Sequence, residues 1–385
     1  GVVMCITSVS VMISAGDSME ELITGQVSSF GSDLIQTEVR VPSTGGGMAS
    51  QAQGVEITTL TLNDKEAIED LPYIKQSYAV LTGQELLSWQ GNISKALIYA
   101  VSSEFIDIDS SEIDQGRFYT QEEDESLAKV IVLGSGIKED IFGASDAVGQ
   151  NVKINKTSYK VIGTMQPRGA VFFFDMDDMV YIPIQTTQKL LLGVNYVAAI
   201  TSQMADVSQE DEAVDAIVAL VRERHDISNP DRDDFEVMSM ADAQELMSSI
   251  LGGVTLLLIA LAGVSLVVGG VGIMNIMYAT VAERTFEIGL RKAVGSTKAD
   301  IMKQFLIESL VVTFLGGAGG VLLGLLITYL VSLAASLTGF EWAFTWSIGG
   351  VLLSLGFSMA IGLIFGLYPA KKAANLNPIT ALRKD

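Results

Sequence analysis

"LMSSILGGVTLLLIALAGVSLVVGGVGIMNIMYATVA" fills residues 246–282 without a single Asp, Glu, Lys, Arg or His. A helix of about 20 apolar residues crosses a hydrocarbon core about 30 Å thick, so this run is long enough to span a bilayer. Working outward, residues 309–340 and 342–370 are also free of those side chains and also long enough. The composition agrees: of 385 residues, 49% are hydrophobic and 18% charged, with a mean hydropathy of +0.40, richer in apolar residues than ordinary soluble chains. The chain reads as a membrane protein.

The amino terminus, "GVVMCITSVSVMISAG" (1–16), is uncharged as well but shorter than a full span. No basic segment precedes its apolar stretch, as a signal peptide would require. The expectation is four transmembrane helices, the first (1–16) truncated, its beginning missing from this chain. A buried helix of a soluble domain is the alternative for a run of this length.

Charge sets the topology. Residues 17–245 hold 39 acidic and 15 basic side chains, whereas 283–308 carries Arg284, Arg291, Lys292, Lys298 and Lys303. Lys371, Lys372, Arg383 and Lys384 follow Pro369. Basic loops stay on the cytoplasmic side, so a loop at 282–303 and a tail at 370–385 are expected inside, and a domain at 17–247 outside. The membrane part is then 248–385, with helices two to four. The acidic balance argues against nucleic acid as a partner, because its phosphates need clustered Lys and Arg. Cys5 is the one cysteine and lies in an apolar run, so no internal disulfide supports the outer domain.

Between 17 and 245 the pattern is α+β. "DLIQTEVRV" (33–41), "ITTLTL" (57–62), "KALIYAVSS" (95–103), "AKVIVLG" (128–134) and "NVKINKTSYKVIGTM" (151–165) read as strands, the last a hairpin turning near Asn155 and Lys156. Helices are expected at 64–71, 136–143 and 209–225; in the third, Val214, Ile217, Val218 and Val221 recur at three- and four-residue steps. "VPSTGGGMASQAQG" (41–54) reads as a surface loop. In the membrane part Gly316, Gly320 and Gly324 form one row, and Gly362 and Gly366 another, where helix backbones can approach closely.

The inventory for catalysis is thin. His225 is the one histidine and has no Cys or second His to share a metal; it is expected at the surface. Ser135 lacks the spacing of a nucleophile elbow, and a turn between strand and helix accounts for it. The clusters at 121–125, 175–178 and 231–234 lack the spaced ligands and central glycine of a calcium loop and read as solvated charge. No carboxylate or histidine lies deep in the expected spans, which argues against an ion-coupled carrier. GxxxxGK[ST] does not occur, so the chain is not expected to be an enzyme or to bind a cofactor; energy would come from a partner.

"ERTFEIGLRKAVGSTKADI" (283–301) is the charged interruption between two apolar segments. Glu287 and Arg291 stand four apart in the favourable order, with Glu283 on the same side; Phe286, Leu290 and Val294 lie on another face. Gly295 ends this helix, and Thr297 with Asp300 starts the next in capping-box fashion. The bland account is an interfacial helix held by lipid headgroups. The functional account is a docking handle for a cytoplasmic motor, made of Glu283, Arg284, Phe286, Glu287, Ile288, Leu290, Arg291, Lys292 and Gly295.

"VAERTFEIGLRKAVGSTKADIMKQFLIES" (281–309) resembles the coupling segment of the MacB/FtsX-like permeases of ABC transporters, and "GLYPAKKAANLNPITALRKD" (366–385) their carboxy-terminal signature. "SSFGSDLI" (28–35), "DQGRFYTQEEDESLAKVIVLGSGIKEDIFG" (114–143), "AVGQNVKINKTSYKVIGTM" (147–165) and "VYIPIQTTQKLLLG" (180–193) resemble the MacB-type periplasmic core. The resemblance runs the length of the chain. It implies a permease in the bacterial or archaeal cell (inner) membrane, working as a homodimer above two ATP-binding subunits that hold ATP and Mg. It also implies an extracytoplasmic domain of two lobes, the inserted one at about 105–185. Motor closure would pass through the coupling helix to the outer domain, which expels a drug, peptide, toxin or lipoprotein, with a membrane-fusion adaptor and an outer-membrane duct as further partners. The alternative is a mechanotransmission complex of FtsX type that activates a cell-wall hydrolase or a sensor. MacB-type chains can carry the ATPase ahead of the first helix; separate subunits are common, and a separate one is expected here.

Overall fold

The computed structural model describes residues 2–28, 31, 33–42, 57–171, 174–337 and 348–382. They form two compact units, one of residues 1–24 and 246–385, the other of 25–245. Most of the loop expected at 41–54 lies outside the described residues.

The first unit is helical: α1 (Val2–Ser28), α2 (Met240–Glu283), α3 (Thr285–Ala293), α4 (Lys298–Leu337), α5 (Ile348–Ala374) and α6 (Pro378–Leu382). Among the described residues α2, α4 and α5 are long and apolar enough to cross a membrane. The shortest, α5, has 27 residues, which at about 1.5 Å per residue is about 40 Å and exceeds the hydrocarbon thickness. α1 is a 27-residue helix that runs on past the expected limit at residue 16. It buries Ile6, Val9 and Ile13, three to four residues apart, against Ala262 and Leu266 of α2 and Val321 of α4.

Small residues set how closely these helices approach. A methyl on Gly320 would meet Ile6 Cβ and the Val3 carbonyl, both at 2.8 Å, and one on Gly324 would meet Ser10 Cβ at 2.7 Å, so both glycines seat α1. Gly316 is half-buried, and its neighbour Gly317 is fully packed against Ser358 of α5. Gly362 and Gly366 meet Thr313 and Ser309 of α4. The contacts are polar as well as close: Ser309 Oγ donates to the Gly362 carbonyl at 2.8 Å, and Ser358 Oγ donates to the Thr313 carbonyl at 2.6 Å. In an apolar surrounding, such bonds and close packing replace the hydrophobic drive that water would supply.

The second unit is built on one ten-stranded mixed sheet. Its strands are β1 (Leu34–Val39), β2 (Ile74–Trp89), β3 (Asn92–Val101), β4 (Ile113–Gly116), β5 (Val130–Leu133), β6 (Asn151–Ile154), β7 (Thr157–Met165), β10 (Met179–Pro183), β11 (Ala199–Met204) and β12 (Phe235–Ser239); β8 (Ala170–Val171) and β9 (Phe174–Asp175) pair separately. The order is β12-β1-β11-β2-β3-β10-β5-β7-β4, with β6 paired to β2 and β7. Alternating residues feed two cores: Ile35, Ala79, Ile131 and Val180 on one face, Leu34, Tyr78, Val132 and Tyr181 on the other. Segment 105–185 supplies β4, β5, β6, β7 and β10, one half of this sheet. Parallel pairing of β10 with β3 runs the sheet on into the rest of the unit, and both cores draw on both halves.

Four of the five expected strand stretches are strands, and the 151–165 hairpin turns at Asn155 and Lys156, both at positive φ (45° and 71°), as a two-residue turn needs. The stretch 57–62 is not a strand. Thr61 caps the helix Leu62–Glu69 instead: its N–H donates to the Asp64 carboxylate at 2.9 Å, and its hydroxyl does so at 2.7 Å. Its alternation of Thr and Leu is a cap and an anchor, with Leu60 fully buried. His225, expected at the surface, is partly buried. Its side chain is 8% exposed between Asp64 and Asp234, because the end of helix Glu210–Arg224 packs over the helix that Thr61 begins.

Candidate functional site

The charged interruption folds as α3. Arg284 breaks the helical course of α2, and α3 closes when Val294 donates to Leu290 and Gly295 takes a φ of +110°, a left-handed conformation suited to glycine. Thr297 then opens α4: its N–H donates to the Asp300 carboxylate at 3.0 Å, and the Asp300 N–H donates back to the Thr297 hydroxyl at 3.2 Å. This reciprocal cap holds Asp300 below the usual carboxylate range.

α3 has three faces. The inner one buries Ile288 and Gly289. Ile288 joins Ile273, Met277 and Val281 of α2, Ile301 and Phe305 of α4, and Ala370, Ala373 and Ala374 of α5 in one apolar cluster. Gly289 lies so close to α6 that a methyl on it would stand 2.7 Å from Ala381 Cβ. The charged face holds the Glu287–Arg291 pair at 2.6 Å, with a second Arg291 bond to Gln304 of α4. Arg284 reaches Glu308 of α4 at 3.3 Å. Both pairs are well exposed and each contributes under about 1 kcal/mol to the fold.

The third face is apolar and open. Phe286 is 57% exposed, Leu290 49% and Val294 82%. Lys292, expected in the docking handle, turns inward: its ammonium donates to the Ala374 carbonyl at the end of α5 and to the Leu376 carbonyl just beyond it. Glu283 is exposed at the end of α2. The candidate residues thus divide between those holding α3 in place (Ile288, Lys292, Gly295) and those presented outward (Glu283, Phe286, Glu287, Leu290, Arg291), with Arg284 bridging to α4. The sequence pattern did not single out Gly289, Gln304, Glu308 and Ala381, whose roles depend on partners 13 to 92 positions away; Gly289 inside an amphipathic helix was the one visible signal.

The acidic clusters of the sheet unit are mostly structural anchors. Glu123 closes a capping box with Thr120 and pairs with Arg117 at 2.6 Å; Asp177 accepts from the N–H groups of Arg168 and Gly169; Asp233 pairs with Arg222 at 2.6 Å. Ser135 begins the helix Ser135–Phe142 directly after β5.

Apolar helices of spanning length are thus joined by a short charged helix with an exposed apolar face. Residues 1–220 match the family of the MacB-like periplasmic core domain, and residues 259–378 match the FtsX-like permease C-terminal family. The chain belongs to the MacB-like ABC transporter permeases. Described as macrolide export ATP-binding/permease proteins MacB, relatives from Bdellovibrio bacteriovorus and Chlorobaculum tepidum are 36% and 38% identical over the whole chain. The chain spans 58% of the length of each. The periplasmic region of MacB from Actinobacillus actinomycetemcomitans shares the fold of the sheet unit, at TM-score 0.50 and 19% identity over 57% of this chain and 95% of that one.

Proposed function

We propose that this chain is the permease part of an ATP-driven exporter, and that α3 is its coupling helix. In this reading Phe286, Leu290 and Val294 enter a groove on an ATP-binding subunit, which holds the ATP and Mg. Glu283, Glu287 and Arg291 set the register at the rim. The observation that carries the reading is the exposed apolar face of α3 on a helix otherwise anchored on its inner side, since apolar side chains displayed from a fixed element form the buried centre of an interface. The basic residues at 284–303 and beyond Pro369 support a cytoplasmic position for this end of the helices and an outer position for the acidic sheet unit. α1 completes a set of four membrane helices, and two copies of the chain assemble over two ATP-binding subunits. The sheet unit then moves with the helices and expels substrate on the outer side.

Reversing one rim charge tests this. Glu287→Arg breaks an exposed pair worth about 0.3–0.5 kcal/mol to the helix, too little to unfold anything, yet places like charges against the partner's rim. The expected result is an intact melting curve with ATP hydrolysis no longer linked to export by the reconstituted complex. Unchanged coupling would remove α3 from the docking role.

A further inference from the structure

The carboxy-terminal segment after α5, "NLNPITAL" (375–382), fastens α3 through Leu376 and Ala381. We infer that this segment is a clamp that makes α3 move as one body with α5, and that Lys292 and Gly289 are the positioning residues of that clamp. The inference rests on the coupling reading of α3 and adds the route by which displacement leaves it.

Three observations carry it. First, the last carbonyls of a helix have no partner within it and concentrate its negative dipole end. In α5 the Ala374 carbonyl is taken by a cation from another element: Lys292 Nζ donates to it at 2.8 Å and also to Leu376 O just beyond the helix, while the Lys371, Lys372 and Ala373 carbonyls accept from the N–H groups of Asn375 and Leu376. Lys292 is only half-exposed, so its bonds are poorly replaced by water. Second, Asn377 turns the chain back. Its side chain accepts from the Ile379 N–H at 3.1 Å, Pro378 starts α6, and Ala381 is 2% exposed against Gly289. A side chain at 289 would prevent this contact, so the glycine serves approach rather than turn geometry. Third, the base of α5 is made of Ala370, Ala373 and Ala374, all buried beneath Ile288. α3 is thus held to α2 and α4 by chain connection, by Ile288 packing and by the Arg291 bond to Gln304, and to α5 and α6 by a polar bond and a steric seat. Further along, the bonds from Ser309 and Ser358 tie α5 to α4 in both directions, so a displacement delivered at the base of α5 reaches the helix pair.

The test uses the full complex of this chain with its ATP-binding subunit in lipid vesicles. It reads retention of the subunit, the melting curve, and the ratio of export to ATP hydrolysed. Lys292→Met keeps the length and removes the bonds. It is expected to retain the subunit while the ratio falls about tenfold, as loss of a hydrogen bond to a charged group implies, and Lys292→Arg is expected to restore it. Gly289→Ala, which wedges Ala381 outward, is expected to lower the ratio without releasing the subunit, and Gly289→Ala with Ala381→Gly to recover it. Wild-type coupling in both single variants overturns the clamp, and so does loss of the subunit from Lys292→Met, since Lys292 would then belong to the docking face. Failure of the underlying reading shows separately, as normal coupling in Glu287→Arg. Should Lys292→Met lower the melting temperature, the glycine–alanine pair decides: recovery supports the clamp, and no recovery overturns it.

Discussion

His225 sits where three elements of the sheet unit meet. Its Nδ1 lies 2.9 Å from Asp234, its Nε2 3.6 Å from Asp64, and Arg224 Nε stands 2.6 Å from the same Asp64 carboxylate. The Asp64 carboxylate raises the pKa of His225 above its ordinary value, burial opposes this, and Asp234 adds to the rise. Asp64 itself is held well below the usual range: burial works against it, but His225, Arg224 and Thr61 outweigh that. The signs follow from linkage. A raised histidine contributes stability that is full below the unfolded pKa of about 6.5 and is lost as pH rises through the folded value; a depressed Asp64 contributes stability that is lost only in acid. His225→Gln should therefore lower the melting temperature of the full chain by about 3 °C near pH 6, with the deficit shrinking as pH rises through the folded value. A deficit that stays constant over that range would mean the ring is neutral throughout. Asp124 works in the same direction, because burial lifts it to about 6 against the Gln185 N–H that it accepts, so its ionisation costs stability as pH rises. None of this was legible beforehand. A lone histidine near a helix end looks like surface, and only the fold brings Asp64 and Asp234, 161 and 9 positions away, to its ring.

At the scale of elements, the membrane helices were legible as charge-free runs, because a bilayer penalises charge along the whole span. Which glycine meets which helix was not. The row of Gly316, Gly320 and Gly324 shows a small face, but a neighbouring face one residue on, at Gly317, packs against a different helix. This contrast supplies a test. Gly320→Leu drives a branched side chain into Ile6 and the Val3 carbonyl, and overpacking of this kind costs about 1–3 kcal/mol, so the chain should melt several degrees lower in detergent. Gly319→Leu, where a Cβ would meet nothing within 4 Å, should leave the curve unchanged. Equal effects from both would show that helix propensity rather than packing is being measured. In the sheet unit, β3, β5 and the 151–165 hairpin follow simple β-branched patterns. β2 does not: its 16 residues include Gly83 and the exposed Thr82, Gln84 and Leu86, so a strand held by partners on both sides has no pattern of its own. Burial decided β10, β11 and β12 in the same way, through pairing across more than 70 positions.

Across the whole molecule the charge is divided as sharply as the fold. Residues 17–245 carry 39 acidic side chains against 15 basic, while the α3 region and the tail carry nine basic residues among them. Positive charge near helix ends resists translocation, whereas a large acidic domain crosses readily, so one orientation is favoured. The chain has one cysteine, Cys5, whose thiol meets the Ser265 carbonyl at 3.1 Å, and serine can keep that bond. In a Cys5→Ser background, a cysteine placed at the exposed Lys156 of the β6–β7 turn should react with a membrane-impermeant maleimide on intact cells whose outer barrier has been opened. One placed at Ala293, exposed on α3, should react only after the inner membrane is permeabilised. The reverse pattern would put α3 outside, away from cytoplasmic ATP, and end the coupling account. Labelling of both sites from outside would mean that the helices of the first unit do not separate them, and that the spans, though long enough, do not all cross.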